Sequence, residues 1–330
     1  MIRYFQSAYP SQYIAIFLLL FIFWIPGFMI TSGMIGMEST PGEIPFPGSL
    51  TPGYRISLLV IAFITTAIMA LLINYIATFF GISGKISTAG AFVYTLLTSS
   101  LSFYVVPHLF FIVNLLMIFL IWLLFSIPES KNQPVSLFNA GFIAGVASLF
   151  APTLVSLLLL IWSGLLFHRS NHWRNFLSSL AGISLPWLFL WVWHFWSDSL
   201  PGFREIWHQT PFFTDLSVLN INVDLNFVVL TIMLFFTFIM SFRVLISMRG
   251  KNINLRHNLA ITISFFLIGV LCLLLSSEPG YAAVVFIPAT LLIVHFLETV
   301  RYRKIYDILL ILFVLLALGN QYRLLFAWKI

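Results

Sequence analysis

Long apolar runs without a charged side chain recur along the whole of this sequence. The run Ile56–Phe80 is the clearest, because no Asp, Glu, Lys or Arg occurs within it. One transmembrane helix needs about 20 apolar residues to cross roughly 30 Å of hydrocarbon. Charged residues make up only 8% of the 330 residues, whereas about 25% is usual in soluble domains. The chain is therefore predicted to be a polytopic membrane protein.

Eleven membrane-inserted segments are predicted, and together they form one polytopic domain, 1–330. Pro152 is expected to divide the long run 137–167 into a hairpin of two short helices, with a single kinked helix as the alternative. Gly141 and Gly145 have the spacing that lets membrane helices approach closely. The predicted fold class is an all-α integral membrane protein. The other segments are about 13–30, 56–80, 88–106, 108–127, 176–196, 225–242, 258–276, 281–297 and 308–320.

The basic residues are distributed unequally between the two sides of the membrane in this predicted topology. With the N-terminus in the cytoplasm, twelve of the sixteen Lys and Arg residues fall on the cytoplasmic side, as the positive-inside rule requires. The first outer loop (33–53) and the second outer segment (197–224) then face outward. Short basic clusters between apolar runs are typical of topology signals, so nucleic acid is not expected as a partner. The single cysteine excludes an internal disulfide.

The first outer loop has the sequence GMIGMESTPGEIPFPGSLTPG and carries two carboxylates, Glu38 and Glu43. Its glycines and prolines exclude a helix, so it is expected at a membrane face. A carboxylate there could act as a general base or hold a divalent cation near a lipid phosphate. The simpler interpretation is that both glutamates only solvate the loop.

Three further outer residues are candidates for substrate binding. Arg204 is predicted on the outer side, although most basic residues are predicted on the cytoplasmic side, and it could hold a phosphate. A salt bridge on a surface helix would explain the position of Arg204 equally well. His208 lies three residues after Glu205, so the two would share a helix face and could join a metal site. An interfacial loop is the simpler explanation, and a metal site is a minor hypothesis. Glu278, in SSEPGY, could meet the first outer loop or belong to a polar turn.

Polar residues inside the predicted spans offer another interpretation. Asn74, His108, Asn114 and His295 could line a path for protons or a solute. No span contains a central Asp, Glu, Lys or Arg, however, so the usual machinery of ion-coupled transport is missing.

The segment FNAGFIAGVASLFAPTLVSLLLLIWSGLLFHR resembles a part of GT-C type polytopic glycosyltransferases. In that group a Gly-rich helix, a break at a small residue and Pro, and a Leu-rich helix precede a basic cytoplasmic loop. The group typically has a carboxylate in the first outer loop, where Glu38 and Glu43 stand. Through LLINYIATFFGISGKIS, this segment and FIPATLLIVHFLE, the chain also resembles a family of bacterial polytopic inner-membrane proteins without an assigned function.

The resemblance implies a transferase that moves a sugar from a polyprenyl-phosphate donor to an acceptor at the outer face of the inner membrane. Membrane lipids, the donor and envelope proteins are the implied partners. Glu38 or Glu43 would act as the base or position a cation, and Arg204, Glu278 and His208 would contact the substrate. Two features depart from the group, since the acid is Glu in a Pro/Gly run and no large outer domain is present. A non-catalytic scaffold subunit of an envelope assembly and a lipid or solute transporter are the alternatives.

Overall fold

The computed structural model confirms the all-helical prediction for the residues that it describes, which are 90% helical and contain no β-strand. The described residues are 2–5, 7–31, 52–83, 87–105, 109–129, 132–168, 170, 172–198, 225–248, 250–276, 279–300 and 303–326.

Twelve α-helices occupy these described ranges. They are α1 (Ile2–Phe5), α2 (Pro10–Thr31), α3 (Pro52–Phe79), α4 (Ala89–Ser99), α5 (Phe110–Ser126), α6 (Gln133–Phe150), α7 (Leu157–Phe167), α8 (Trp173–Trp196), α9 (Leu225–Ser247), α10 (Ile253–Leu275), α11 (Ala282–Thr299) and α12 (Arg303–Phe326). Short 3₁₀ turns occur at Ser102–Val105, Ile127–Glu129, Pro152–Ser156 and Pro279–Tyr281.

In the part of the chain that the structure describes, eight helices are long and apolar enough to cross a membrane: α2, α3, α6, α8, α9, α10, α11 and α12. Their outward side chains are apolar, and Phe17, Ile64 and Phe235 are examples of exposed ones. Exposed apolar faces of this kind suit contact with lipid chains. Three shorter apolar helical segments accompany them, at Ala89–Ser99, Phe110–Ser126 and Pro152–Phe167. The chain is therefore a multi-pass membrane protein.

The predicted segment 88–106 differs from a single span. It forms the 11-residue helix α4 and then a 3₁₀ turn. The helix ends in a run of serines, where the Ser100 hydroxyl donates to the Leu97 carbonyl at 2.7 Å. Serine side chains compete with the backbone for such bonds and so favour helix ends. At about 1.5 Å per residue, α4 is only about 16 Å long.

The helical run 137–167 is interrupted before Pro152, where α6 ends. Ala151 is extended, with φ −145° and ψ 93°, and Pro152 opens the 3₁₀ turn that leads into α7. Proline has no N–H for an internal helix bond and disfavours a helical conformation in the residue before it. The run therefore contains two helices of unequal length, since α6 has 18 residues and α7 has 11.

The chain forms two compact units. The first comprises Met1–Phe111, Ile221–Leu255 and Phe286–Ile330, and the second comprises Ile112–Asn220 and Arg256–Val285. In the second unit, α6 and α8 touch backbone to backbone. A Cβ atom added to Gly141 would lie 2.3 Å from the Ser179 carbonyl oxygen, and one added to Gly145 would lie 2.7 Å from the Ile183 carbonyl oxygen. The two glycines of the small-xxx-small pattern thus permit a close helix crossing.

Candidate functional site

The residues predicted to form the site, Glu38, Glu43, Arg204, His208 and Glu278, all lie outside the described residues. Their roles stay predictions. The structure does describe the helix ends from which the two outer segments leave, because α2 ends at Thr31, α3 begins at Pro52 and α9 begins at Leu225.

Hydrogen bonds in the first unit show which helix ends lie together. The Tyr322 hydroxyl on α12 donates to the Ile22 carbonyl on α2 at 3.0 Å. Asn320 Nδ2, also on α12, donates to Asn226 Oδ1 at the start of α9 at 2.7 Å. The last turns of α12 therefore lie beside the second half of α2 and the start of α9. The first outer loop begins after α2 at this end of the unit, and the second outer segment is followed by α9, which begins there.

A polar network occupies this end, and we call it the serine–amide network. Asn226 Oδ1 accepts from the Ser102 backbone N–H at 3.1 Å and from the Ser102 hydroxyl at 2.9 Å. Asn320 Nδ2 donates to the Ser100 carbonyl at 2.8 Å. Gln321 Nε2 donates to the Ser99 carbonyl at 2.6 Å. The network joins the end of α4, the start of α9 and the last turns of α12.

Several polar atoms of this region have no hydrogen-bond partner among the described residues. They are Ser99 Oγ, Asn320 Oδ1 and Gln321 Oε1, together with Thr95 Oγ1 one turn earlier on α4. All four side chains are at most 1% exposed. A buried polar group that lacks a partner costs about 1–3 kcal/mol. A hydroxyl-bearing ligand or ordered water would satisfy these atoms and recover that cost.

Two neighbouring helices, α2 and α12, continue beyond the network. From Ile22, which is level with Tyr322, α2 continues to Thr31, which is about 14 Å at 1.5 Å per residue. From Asn320, α12 continues to Phe326, which is about 9 Å. Irregular backbone such as the turn Ser102–Val105 is tolerated at membrane depth only inside protein or beside a water-filled space. The network is thus recessed from the ends of α2 and α12, whereas it lies level with the start of α9, where Asn226 is the second residue.

An apolar cavity, which we call cavity A, begins just below the network. It has a volume of about 210 Å³ and lies among α4, α9, α11 and α12. Leu97 lies two residues before Ser99, and Leu316 lies four residues before Asn320, so the cavity comes within about one helical turn of the network. A cavity with such a lining suits a hydrocarbon chain. The lining residues are Val93, Leu96, Leu97, Ile232, Met233, Phe236, Met240, Ile293, Leu297, Tyr306, Leu309, Leu310, Leu312, Phe313 and Leu316.

A second polar cluster lies at the opposite end of the first unit. His295 Nδ1 lies 2.7 Å from the Ile82 carbonyl oxygen. Because a carbonyl only accepts, this nitrogen carries the proton, and Nε2 accepts from the Lys251 ammonium group. Burial lowers the pKa of Lys251. Glu298, one turn after His295, accepts from two hydroxyls, those of Ser83 at 2.7 Å and Ser87 at 3.3 Å.

Two of the four polar residues predicted to line a solute path, Asn74 and His295, have structural partners instead. Asn74 Oδ1 on α3 accepts from the backbone N–H groups of Gly90 at 3.1 Å and Ala91 at 3.4 Å, and so caps the buried start of α4. His295 bridges the α3–α4 connection and Lys251. Asn114 is buried on α5, and His108 lies outside the described residues.

The sequence interpretation missed the serine–amide network. Its signals are the serines of LLTSSLS and the pair Asn320–Gln321 near the end of an apolar helix. Taken singly, each is an ordinary polar residue at a helix end. Only the contact between segments more than ninety residues apart in sequence shows that they form one network.

Among the described residues, no group of three or more His, Cys, Asp or Glu side chains could hold a metal ion. Comparisons with protein family models, with curated proteins and with solved structures found no significant match. The fold and the site therefore define the class: a multi-pass helical membrane protein with a recessed hydroxyl–amide network above an apolar cavity.

Proposed function

We propose that this protein is a GT-C-like glycosyltransferase that moves a sugar from a polyprenyl-phosphate donor to an acceptor at the outer face of the bacterial inner membrane. The observation that supports it best is the recessed serine–amide network, with its unpartnered oxygens, directly above cavity A. A lipid-linked sugar needs both features. Its hydroxyl groups need neutral donors and acceptors, and its chain needs an apolar cavity.

The proposed topology has eleven membrane-inserted segments and a cytoplasmic N-terminus. It rests on the charge bias of the connecting segments. In this orientation the Lys251–His295 cluster faces the cytoplasm and the serine–amide network faces outward. The candidate residues Glu38, Glu43, Arg204, His208 and Glu278 then all belong to outer segments.

In the proposed reaction, Glu38 or Glu43 takes the proton from an acceptor hydroxyl. The resulting oxygen attacks the anomeric carbon of the donor sugar. The bond from that carbon to the donor phosphate oxygen breaks, and polyprenyl phosphate leaves with the electron pair. Arg204 stabilises the charge that develops on the phosphate, with Glu278 and His208 in support. The network holds the sugar hydroxyls, so that the anomeric carbon is oriented for attack.

The test is an assay of sugar transfer in inverted and right-side-out membrane vesicles supplied with a radiolabelled polyprenyl-phosphate sugar. The variants are Glu38→Gln, Glu43→Gln and the double change, each checked for membrane insertion. Loss of the catalytic base lowers the rate roughly 10²- to 10⁴-fold. Asn320→Leu is expected to weaken donor binding, and Gly319→Ala serves as its control because a Cβ there meets nothing within 4 Å.

Deletion of the gene should remove an envelope glycoconjugate from cells. If the deletion strain loses it while both glutamine variants and the double variant keep full activity, base catalysis from the first outer loop is wrong, and the scaffold alternative is favoured. Accumulation of a solute in vesicles, without sugar transfer, would favour a transporter.

A further inference from the structure

A second apolar cavity, which we call cavity B, lies on the other side of α4. It has a volume of about 410 Å³ and lies among α2, α3 and α4 in the first unit. Small side chains create the space, since Ala67, Ala70 and Ala91 all line it. The short helix α4 therefore has an apolar cavity on each of two faces, and the serine–amide network lies at its end.

Cavity B opens toward the surface that lipid would cover. Tyr13, Phe17 and Leu71 line it and are 37%, 52% and 49% exposed. The deeper lining residues Leu20 and Thr95 are almost fully buried. A chain from the surrounding bilayer can thus enter from the side, between α2 and α3.

One residue that lines cavity B carries a polar group that a pure hydrocarbon chain would leave without a partner. Thr95 lines the cavity and is fully buried, and its hydroxyl has no partner among the described residues. Its neighbour Thr98 differs, because that hydroxyl donates to the Tyr94 carbonyl one turn earlier at 2.9 Å. Ser99, whose hydroxyl also has no described partner, lies four residues after Thr95 and shares its helix face. Two unpartnered hydroxyls therefore lie on one helix face about 6 Å apart along the axis, one at cavity B and one beside the network.

We infer that cavity B binds the acyl chain of an ester-linked lipid, whose ester carbonyls accept from the Thr95 and Ser99 hydroxyls and whose headgroup reaches the serine–amide network. An ester carbonyl supplies the acceptor oxygens that these donors lack, and a polyprenyl chain has none. The headgroup hydroxyl would be the sugar acceptor. This last role rests on the proposed transferase function, whereas the lipid site itself does not.

The experiment uses the full-length protein in nanodiscs that contain a trace of phosphatidylglycerol with a diazirine in one acyl chain. Irradiation followed by peptide mapping should label residues of α2 and α3 around Ala67 and Ala70. Ala70→Phe fills the cavity and should abolish this labelling. Thr95→Val keeps the shape of the side chain but removes one neutral hydrogen bond to the lipid. This should lower the apparent affinity for the labelled phosphatidylglycerol roughly 2- to 10-fold.

Thr98→Val is the matched control, because it removes a buried threonine hydroxyl from the same helix that already has a backbone partner, and Thr98 does not line cavity B. It should leave the labelling unchanged. Retention of a sharp thermal transition in each variant shows that the fold is intact. The proposal is overturned if Thr95→Val and Thr98→Val behave alike, if Ala70→Phe retains the labelling, or if a diazirine polyprenyl phosphate labels cavity B in place of the acyl lipid.

Failure of the lipid site and failure of the transferase function are distinguishable. Acyl labelling that responds to Ala70→Phe and Thr95→Val, with no sugar transfer in vesicles, keeps the lipid site and rejects the transferase. Sugar transfer to a water-soluble acceptor, without acyl labelling of cavity B, keeps the transferase and rejects the lipid acceptor.

Discussion

At the scale of single residues, the contact between α6 and α8 depends on having no side chain at Gly182. A Cβ atom there would lie 2.3 Å from the Phe138 carbonyl oxygen and 2.9 Å from the Phe142 backbone nitrogen. Both neighbours are backbone, so neither can rotate away. Gly182→Ala should therefore force the helices apart and cost about 1–3 kcal/mol, as overpacking typically does.

The measurement is the thermal midpoint of the purified protein in detergent. Gly319→Ala is the control, because it also adds a methyl group to a helical glycine but meets nothing within 4 Å. Gly319→Ala should leave the free energy of unfolding unchanged or raise it by about 0.4–1 kcal/mol. Equal midpoints for the two variants would contradict the close α6–α8 contact.

His168, which follows α7, should make stability depend on pH. Burial, together with the charge of His257 nearby, lowers the pKa of His168 to about 4, and the two rings lie 5.5 Å apart. In the unfolded chain a histidine takes up its proton near pH 6.5. Between these values the unfolded state binds more protons, so the contribution of His168 to stability is present above pH 6.5 and is lost as the pH falls toward 4.

Melting curves at pH 7.5 and pH 5 test this expectation. The decline in midpoint between them should be smaller in His168→Gln than in the wild type. His172→Gln changes an exposed imidazole in the same connection and should leave the decline as it was. If His168→Gln shows the full decline, the pH dependence comes from other groups.

At the scale of elements, α4 is held by a cap from a neighbouring helix. Asn74 on α3 accepts from two backbone N–H groups at the start of α4, and its side chain is only 7% exposed. Asn74→Leu would leave both donors buried without a partner, at about 1–3 kcal/mol for each. Asn114→Leu is the control, because the Oδ1 of this buried asparagine has no described partner. A lower melting midpoint for Asn74→Leu than for Asn114→Leu is expected, and the reverse order would contradict the cap.

How well the sequence predicted each element depended on how far apart the determining residues lie. Apolar runs set the long helices, so the predicted segments 56–80 and 176–196 agree closely with α3 and α8. The extent of α4 could not be predicted in this way, because its start depends on Asn74 and its end on a network with Asn226 and Asn320. Side chains from distant segments determine where α4 begins and ends, and the apolar periodicity of its own sequence does not show these contacts. The serine–amide network could not be predicted for the same reason, because its residues are also far apart in sequence.

At the scale of the whole molecule, the first unit has two chemically different ends. One end contains the Lys251–His295 cluster, and there the Thr88 backbone N–H donates to the Phe5 carbonyl at 2.9 Å. The other end contains the serine–amide network, with its amides and hydroxyls. Helices connect the two ends across the unit. If one end lies on the cytoplasmic side of the membrane, the other end therefore lies on the outer side.

The charge bias predicts that the Lys251 end is cytoplasmic. Single-cysteine labelling tests this in a Cys272→Ser background, which removes the buried native thiol. Ser39→Cys, in the first outer loop, should react with a membrane-impermeant maleimide in intact spheroplasts. Ser7→Cys, beside Thr88, should react only after permeabilisation, and the background without an added cysteine should not react. The opposite pattern would reverse the orientation and move the serine–amide network to the cytoplasmic side. Transfer from an outward-facing polyprenyl-phosphate sugar would then be excluded, because the network would face the wrong side of the membrane.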